Sequence, residues 1–69
     1  MPSLSRVTEI DEVEAPWGRN VRVEEVEFEG GAVMLRVRIR EGRRFTDLEM
    51  TREVATRIGA ALVSWGGAE

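Results

Sequence analysis

The sequence predicts an α+β fold in two layers: an antiparallel meander sheet of three or four strands with one C-terminal helix across one face, in the order β-β-β-β-α. Two observations predict it. Between Val33 and Met50, apolar residues alternate with charged ones, which is the period of a half-buried strand. After Met50, apolar residues recur every three or four positions, as in an amphipathic helix. We expect residues 1–69 to form a single small domain.

The N-terminal part is predicted to contain an edge strand and a loop. Residues 3–10 carry three spaced apolar side chains, and the neighbours Val7 and Thr8 favour an extended backbone. Residues 11–20 contain three acidic residues followed by a proline and a glycine, which suit a turn. We therefore expect residues 11–20 to be the longest loop.

Residues 20–29 are predicted to form a strand with a β-bulge. Their four apolar residues change phase at Glu24-Glu25, and one extra residue there would return all four to the same face. The four residues are Val21, Val23, Val26 and Phe28. With this bulge, Val23 would face Val37, and Glu25 would lie opposite Arg36.

The clearest pairing pattern is a hairpin around the turn Glu41–Arg44. With a two-residue turn, the apolar residues of the two strands face each other, and arginines face acidic residues on the opposite side. The predicted pairs are Ile39 with Thr46, Val37 with Leu48, Leu35 with Met50, Arg38 with Asp47, Arg36 with Glu49 and Arg40 with Phe45. This register predicts a solvated face of ion pairs.

The C-terminal helix is predicted from its ends and its apolar stripe. Thr51 suits the N-cap, Glu53 favours the first turn, and Gly66-Gly67 suits the C-terminal end. The stripe comprises Val54, Ile58, Ala61, Leu62 and Trp65. We expect it to pack on the apolar face of the sheet and to cover Val23, Val26, Phe28, Leu35, Val37, Ile39 and Leu48.

The second half of the chain resembles small uncharacterised bacterial proteins. The resemblance lies in the arginine-alternating strand from Leu35, the strand Phe45-Thr-Asp-Leu-Glu-Met50, the helix start Thr51-Arg52-Glu53-Val54-Ala55 and the helix end Ala60-Ala61-Leu62-Val63-Ser64-Trp65. It covers about half of the chain. It implies the strand-and-helix fold and no activity.

Composition argues against catalysis and cofactors. The chain has no Cys, His, Lys or Tyr, so only Asp, Glu, Ser, Thr and Arg remain for acid, base or nucleophile roles. Asp47 and Glu49 share a strand face, as a glycosidase-like carboxylate pair would, but each has an arginine opposite and no cleft. We predict that the protein is not an enzyme.

An acidic cluster near the N-terminus is predicted to be a solvated loop rather than a metal site. Its members are Glu9, Asp11, Glu12 and Glu14, and their spacing does not match an EF-hand. The cluster could instead dock the arginine-rich tip of a second copy. We expect no metal.

The favoured function is a small interaction module that forms a homodimer or docks on a protein partner. A chain of 69 residues buries only a small core, and self-association is a common way for such a domain to gain stability. Gly59 is unfavourable inside a helix, and close approach by another backbone would explain it. The candidate contacts are Trp17, Thr56, Gly59, Ala60 and Val63; drift in an Ala- and Gly-rich composition is the alternative explanation for the small residues.

The alternative function is binding of nucleic acid or another polyanion through the arginine-rich hairpin. Its candidate residues are Arg40, Arg43, Arg44 and Phe45. The formal net charge of -3 and the predicted pairing of Arg36 and Arg38 make nucleic acid unlikely as a partner. No signal peptide or membrane-spanning run is predicted, so we expect a soluble cytoplasmic protein.

Overall fold

The computed structural model describes residues 3–68, which form a four-stranded antiparallel sheet followed by one helix. The strands lie side by side in chain order, as in a meander. The elements are β1 (Leu4–Ala15), β2 (Arg19–Phe28), β3 (Val33–Glu41), β4 (Arg44–Met50) and α1 (Arg52–Gly66). The predicted α+β class and element order are confirmed.

The register between β3 and β4 is the predicted one at every position. Val37 lies opposite Leu48 and Arg38 opposite Asp47. The turn between these strands contains Gly42 with a φ of 60°, a left-handed conformation that glycine adopts without a steric penalty. Matching the apolar and charged alternation of two strands was therefore sufficient to fix this hairpin.

Strand β1 is longer than predicted, and the loop expected at residues 11–20 is wrong. Residues 11–15 continue the strand, and the turn to β2 contains only residues 16–18. The irregularities in pairing lie in β1, between Leu4 and Arg6 and between Glu9 and Asp11. In this segment, Glu12 lies opposite Arg22, and Glu14 lies opposite Asn20 and accepts a hydrogen bond of 2.7 Å from it.

The predicted β-bulge at Glu24-Glu25 is also wrong. Strand β2 pairs with β3 without interruption, so Val23 lies opposite Val37 as predicted, whereas Glu24 replaces Glu25 opposite Arg36. Val26 consequently lies opposite Met34, on the other side of the sheet from Val23. The inner strand β2 thus carries apolar residues on both faces of the sheet: Val21 and Val23 on one, and Val26 and Phe28 on the other.

The sheet has two chemically different faces. The valine face, as we name it, carries Val13, Val21, Val23, Leu35, Val37, Ile39 and Leu48. The charged face carries Glu9, Glu12, Arg22, Glu24, Arg36, Arg38, Asp47 and Glu49, together with Val26 and Met34. Val26 is fully buried, so the side of the sheet that was predicted to be solvated contains part of the core.

Helix α1 begins where predicted. Thr51 is the N-cap, and its Oγ1 accepts a hydrogen bond of 3.2 Å from the backbone N–H of Val54. Gly67 is the C-cap, and its N–H donates to the carbonyl of Val63 at 2.9 Å. A single residue separates the helix from β4, so α1 starts at the sheet edge.

The structure corrects the predicted packing of α1. The helix contacts β3 and β4, and none of its residues is buried. Its half-buried positions are Ala55 and Gly59, whereas Val54, Ile58 and Leu62 of the predicted core stripe are exposed. Val26 and Phe28 lie on the opposite face of the sheet from Val23. The prediction that α1 covers Val26 and Phe28 together with Val23 is therefore wrong.

The chain is extended for its size. The Cα radius of gyration is 13.4 Å, and the principal extents are 44 × 30 × 17 Å. A compact domain of this length has a radius of gyration of about 11 Å.

Candidate functional site

The centre of the charged face is a buried ion pair between Glu24 and Arg36. The two residues lie directly opposite each other on β2 and β3, and they are 3% and 8% exposed, respectively. Arg36 Nε donates a hydrogen bond of 2.9 Å to Oε1 of Glu24, and Arg36 Nη2 lies 2.8 Å from the same oxygen. This pair couples the two inner strands, and each charge is compensated by the other.

Arg22 joins this pair to the acidic strand β1. Its guanidinium lies 3.4 Å from Glu9, 3.6 Å from Glu12 and 3.8 Å from Glu24. The buried Nε of Arg22 makes no hydrogen bond, so these contacts are electrostatic and poorly aligned. Two of the acidic residues predicted to lie in a solvated loop are therefore part of a network across three strands.

Arg38 and Asp47 form the second well-aligned pair. Arg38 donates from Nε to Oδ1 at 2.8 Å and from Nη2 to Oδ2 at 2.9 Å. Its guanidinium also lies 5.2 Å from the centroid of the Phe45 ring. The hydrogen bonds that Arg38 donates to Asp47 lower the pKa of Asp47 and raise the pKa of Arg38. Desolvation opposes both shifts.

Replacing Asp47 with Asn is expected to remove part of the acid sensitivity of folding. Because the folded-state pKa of Asp47 is lowered, its ion pair contributes stability above the unfolded pKa of about 3.9 and loses it as pH falls through the folded value. Both side chains are about one-third exposed, so the effect should stay below about 1 kcal/mol. Urea denaturation between pH 2 and pH 7 measures it.

Glu29→Gln is the matched control because it removes one exposed carboxylate in the turn between β2 and β3. The stability difference between wild type and D47N should shrink below pH 4. A difference that is independent of pH, or equal to that of E29Q, would contradict this role for Asp47.

The valine face and the end of α1 are the main exposed apolar surfaces. On the valine face, Val13 and Leu48 are exposed, and the residues between them are half-buried. On α1, Leu62 is 69% exposed and Trp65 is 83% exposed. Together these surfaces leave the helix stripe and much of one sheet face in contact with solvent.

The predicted partner contacts are spread over two places. Trp17 lies in the turn between β1 and β2 and is 85% exposed, and Ala60 and Val63 are exposed on α1. Thr56 donates from its hydroxyl to the carbonyl of Arg52 at 2.8 Å. Gly59 is half-buried, but a Cβ there would meet no neighbouring atom within 4 Å.

The predicted polyanion contacts lie together at one end of the sheet. Arg40, Arg43, Arg44 and Phe45 are all exposed. Because the strands form a meander, the turns β1–β2 and β3–β4 lie at the same end, so Trp17 and the arginines share this end of the sheet. The sequence prediction did not place Trp17 near these arginines. Two strands, β2 and β3, separate the two turns, and in an antiparallel meander this even number places both turns at the same end.

The start of α1 leaves a small open pocket beside β3. It has a volume of about 180 Å³ and is lined by Glu25, Val33, Met34, Leu35, Arg52, Ala55 and Thr56. Within residues 3–68, no three acidic side chains are grouped so that they could hold a metal ion. In the same range, no helix combines the length and apolarity needed to cross a bilayer.

Comparison with known proteins assigns the chain to a family. Neither the curated proteins nor the solved structures contain a match to the chain. A sequence profile of a family of unknown function, DUF6967, matches residues 4–68, from the first residue of β1 to beyond the end of α1. The chain therefore belongs to DUF6967, a family of unknown function.

Proposed function

We propose that this protein is a small soluble cytoplasmic interaction module without enzymatic activity, and that it acts as a homodimer in which a second copy covers the valine face. The observation that carries the proposal is the amount of apolar surface that one chain leaves uncovered. The partner surface comprises the valine face together with Ile58, Leu62, Val63 and Trp65 of α1.

The accessible surface supports an interface of ordinary size. The chain exposes 5764 Å². A compact monomer of 7.8 kDa exposes about 4,400 Å², so the excess is about 1,400 Å². A stable protein–protein interface buries about 800 Å² on each partner. The excess, which counts polar and apolar surface together, is thus larger than the area that one such interface buries on each partner.

A second copy is the occupant that the chain's own surfaces fit. Each chain carries a partly covered apolar sheet face and a helix of which no residue is buried. In a two-fold dimer the same patch of each chain contacts the other, so the helix of one copy can cover the sheet face of the other. One symmetric contact would then cover the apolar sheet face and the apolar side of α1 in both chains.

Sedimentation velocity of the intact chain from about 1 to 200 μM tests the proposal. We expect the mass to rise from one to two times 7.8 kDa as concentration increases, or to stay at the dimer value throughout. Because Trp65 would become buried, its emission should shift to shorter wavelength over the same range, measured in W17F to remove the second Trp. A monomer mass at all concentrations would contradict the homodimer.

Gly59→Ala separates two explanations of the helix glycine. Since a Cβ at Gly59 meets no neighbouring atom, G59A should stabilise the chain by about 0.5–1 kcal/mol through helix propensity. Its dimer dissociation constant should stay within about twofold of wild type. Thermal unfolding and sedimentation measure the two quantities, and a tenfold weaker dimer would place a partner backbone against Gly59.

A further inference from the structure

We propose that the end of the sheet formed by the turns β1–β2 and β3–β4 is a binding site for single-stranded nucleic acid. We name it the turn end. It contains Trp17, Arg40, Arg43, Arg44 and Phe45. The proposal is independent of the homodimer, because it uses the turns rather than the valine face or the end of α1.

The register places the two turns side by side. Arg19, which follows the first turn, lies opposite Glu41, which in turn lies opposite Arg44. Neighbouring strands are about 4.8 Å apart, so the centres of the two hairpins are separated by about 10 Å. One short strand of nucleic acid can therefore contact both turns.

Positive charge is concentrated at this end of an acidic chain. Residues 14–20 and 40–45 hold four arginines and two acidic residues, which leaves six of the ten arginines and eleven of the thirteen acidic residues for the rest of the chain. Both acidic residues are already engaged. Glu41 pairs with Arg19 at 2.8 Å, and Glu14 accepts a hydrogen bond of 2.7 Å from Asn20.

The three remaining arginines are available for phosphate. Among residues 3–68, no carboxylate lies within ion-pair distance of Arg40, Arg43 or Arg44. By contrast, Arg36 and Arg38 on the same strand are both paired. The turn end therefore keeps the uncompensated charge that binding to a phosphate backbone requires.

Two exposed aromatic rings favour bases over other polyanions. Trp17 is 85% exposed and has a φ of 62°, a left-handed conformation that is costly for a bulky residue and that presents the ring at the tip of a turn. Phe45 is exposed, with Arg38 over its ring. Stacking on aromatic side chains, combined with arginine contacts to phosphate, is how proteins bind single strands with little sequence preference.

Fluorescence anisotropy with a labelled 20-nucleotide poly-uridine and its poly-thymidine counterpart tests the site. We expect salt-dependent binding by the wild-type chain at 50 mM salt, at least tenfold weaker in R43Q/R44Q and at least fivefold weaker in W17A. The matched control is R52Q/R57Q, which removes the same charge from α1 and should change affinity less than twofold. Circular dichroism establishes that each variant is folded.

Three outcomes would overturn the proposal. The first is no binding by wild type at 100 μM protein and 50 mM salt. The second is an equal loss in R43Q/R44Q and R52Q/R57Q, which would indicate an effect of net charge alone. The third is heparin binding as tight as oligonucleotide binding with W17A unaffected, which would assign the turn end to polyanions without stacking.

Discussion

Replacing Arg36 with Met is expected to unfold the protein at room temperature. The change leaves the carboxylate of Glu24 3% exposed and without its closest partner. Breaking a buried ion pair costs about 3–5 kcal/mol. The core of a domain of this size rarely supplies more than about 3–5 kcal/mol in total. Urea denaturation followed by circular dichroism measures the loss.

Arg40→Met is the matched control, because Arg40 lies on the same strand and the same face but is exposed. It should change the free energy of unfolding by less than about 0.5 kcal/mol. The double variant E24M/R36M removes both charges and should recover most of the stability. An R36M chain as stable as R40M would show that the Glu24–Arg36 pair does not hold β2 and β3 together.

Replacing Leu62 with Glu is expected to weaken the proposed homodimer by at least 100-fold. Leu62 is 69% exposed in the single chain, so the substitution should have little effect on the monomer. In the dimer it removes about 1.5–3 kcal/mol of apolar burial and adds the cost of burying a charge. Each 1.4 kcal/mol corresponds to a tenfold change in the dissociation constant. Sedimentation velocity measures the shift.

Ser64→Glu is the control for this variant. It adds the same charge two residues along α1, and two residues correspond to about 200° of helix rotation, so it lies on the opposite side from Leu62. S64E should dimerise as wild type does. Equal weakening by L62E and S64E would indicate general charge repulsion, and no weakening by L62E would remove the helix from the interface.

Pairing between strands could be predicted from the sequence where both strands alternate without interruption. This holds for β3 and β4, in which Val37 meets Leu48 and Arg38 meets Asp47. It does not hold for β2, because the apolar residues of this strand do not share one face. An inner strand is flanked by a strand at each edge, and the side chains of these strands can cover Val26 and Glu24 on the face opposite Val23.

The position of α1 could not be predicted from its periodicity. The stripe of Val54, Ile58 and Leu62 indicates that one side of the helix requires an apolar contact, but it does not specify whether the same chain provides that contact. The half-buried residues of α1 are Ala55 and Gly59, and a methyl group and a hydrogen offer little surface for burial. The complete turn end could not be predicted from residue types alone, because the strand order decides which turns lie at the same end of the sheet.

Disulfide trapping tests most directly whether a second copy covers the valine face. The chain has no cysteine, so L62C can be mixed in turn with V21C, V37C or L48C, with S64C in place of L62C as the control. A disulfide forms only where the two Cα atoms come within about 7 Å. We predict a cross-linked heterodimer of L62C with at least one valine-face variant, formed several-fold faster than with S64C. Cross-linking of L62C only to itself, or no faster than the control, would contradict the account.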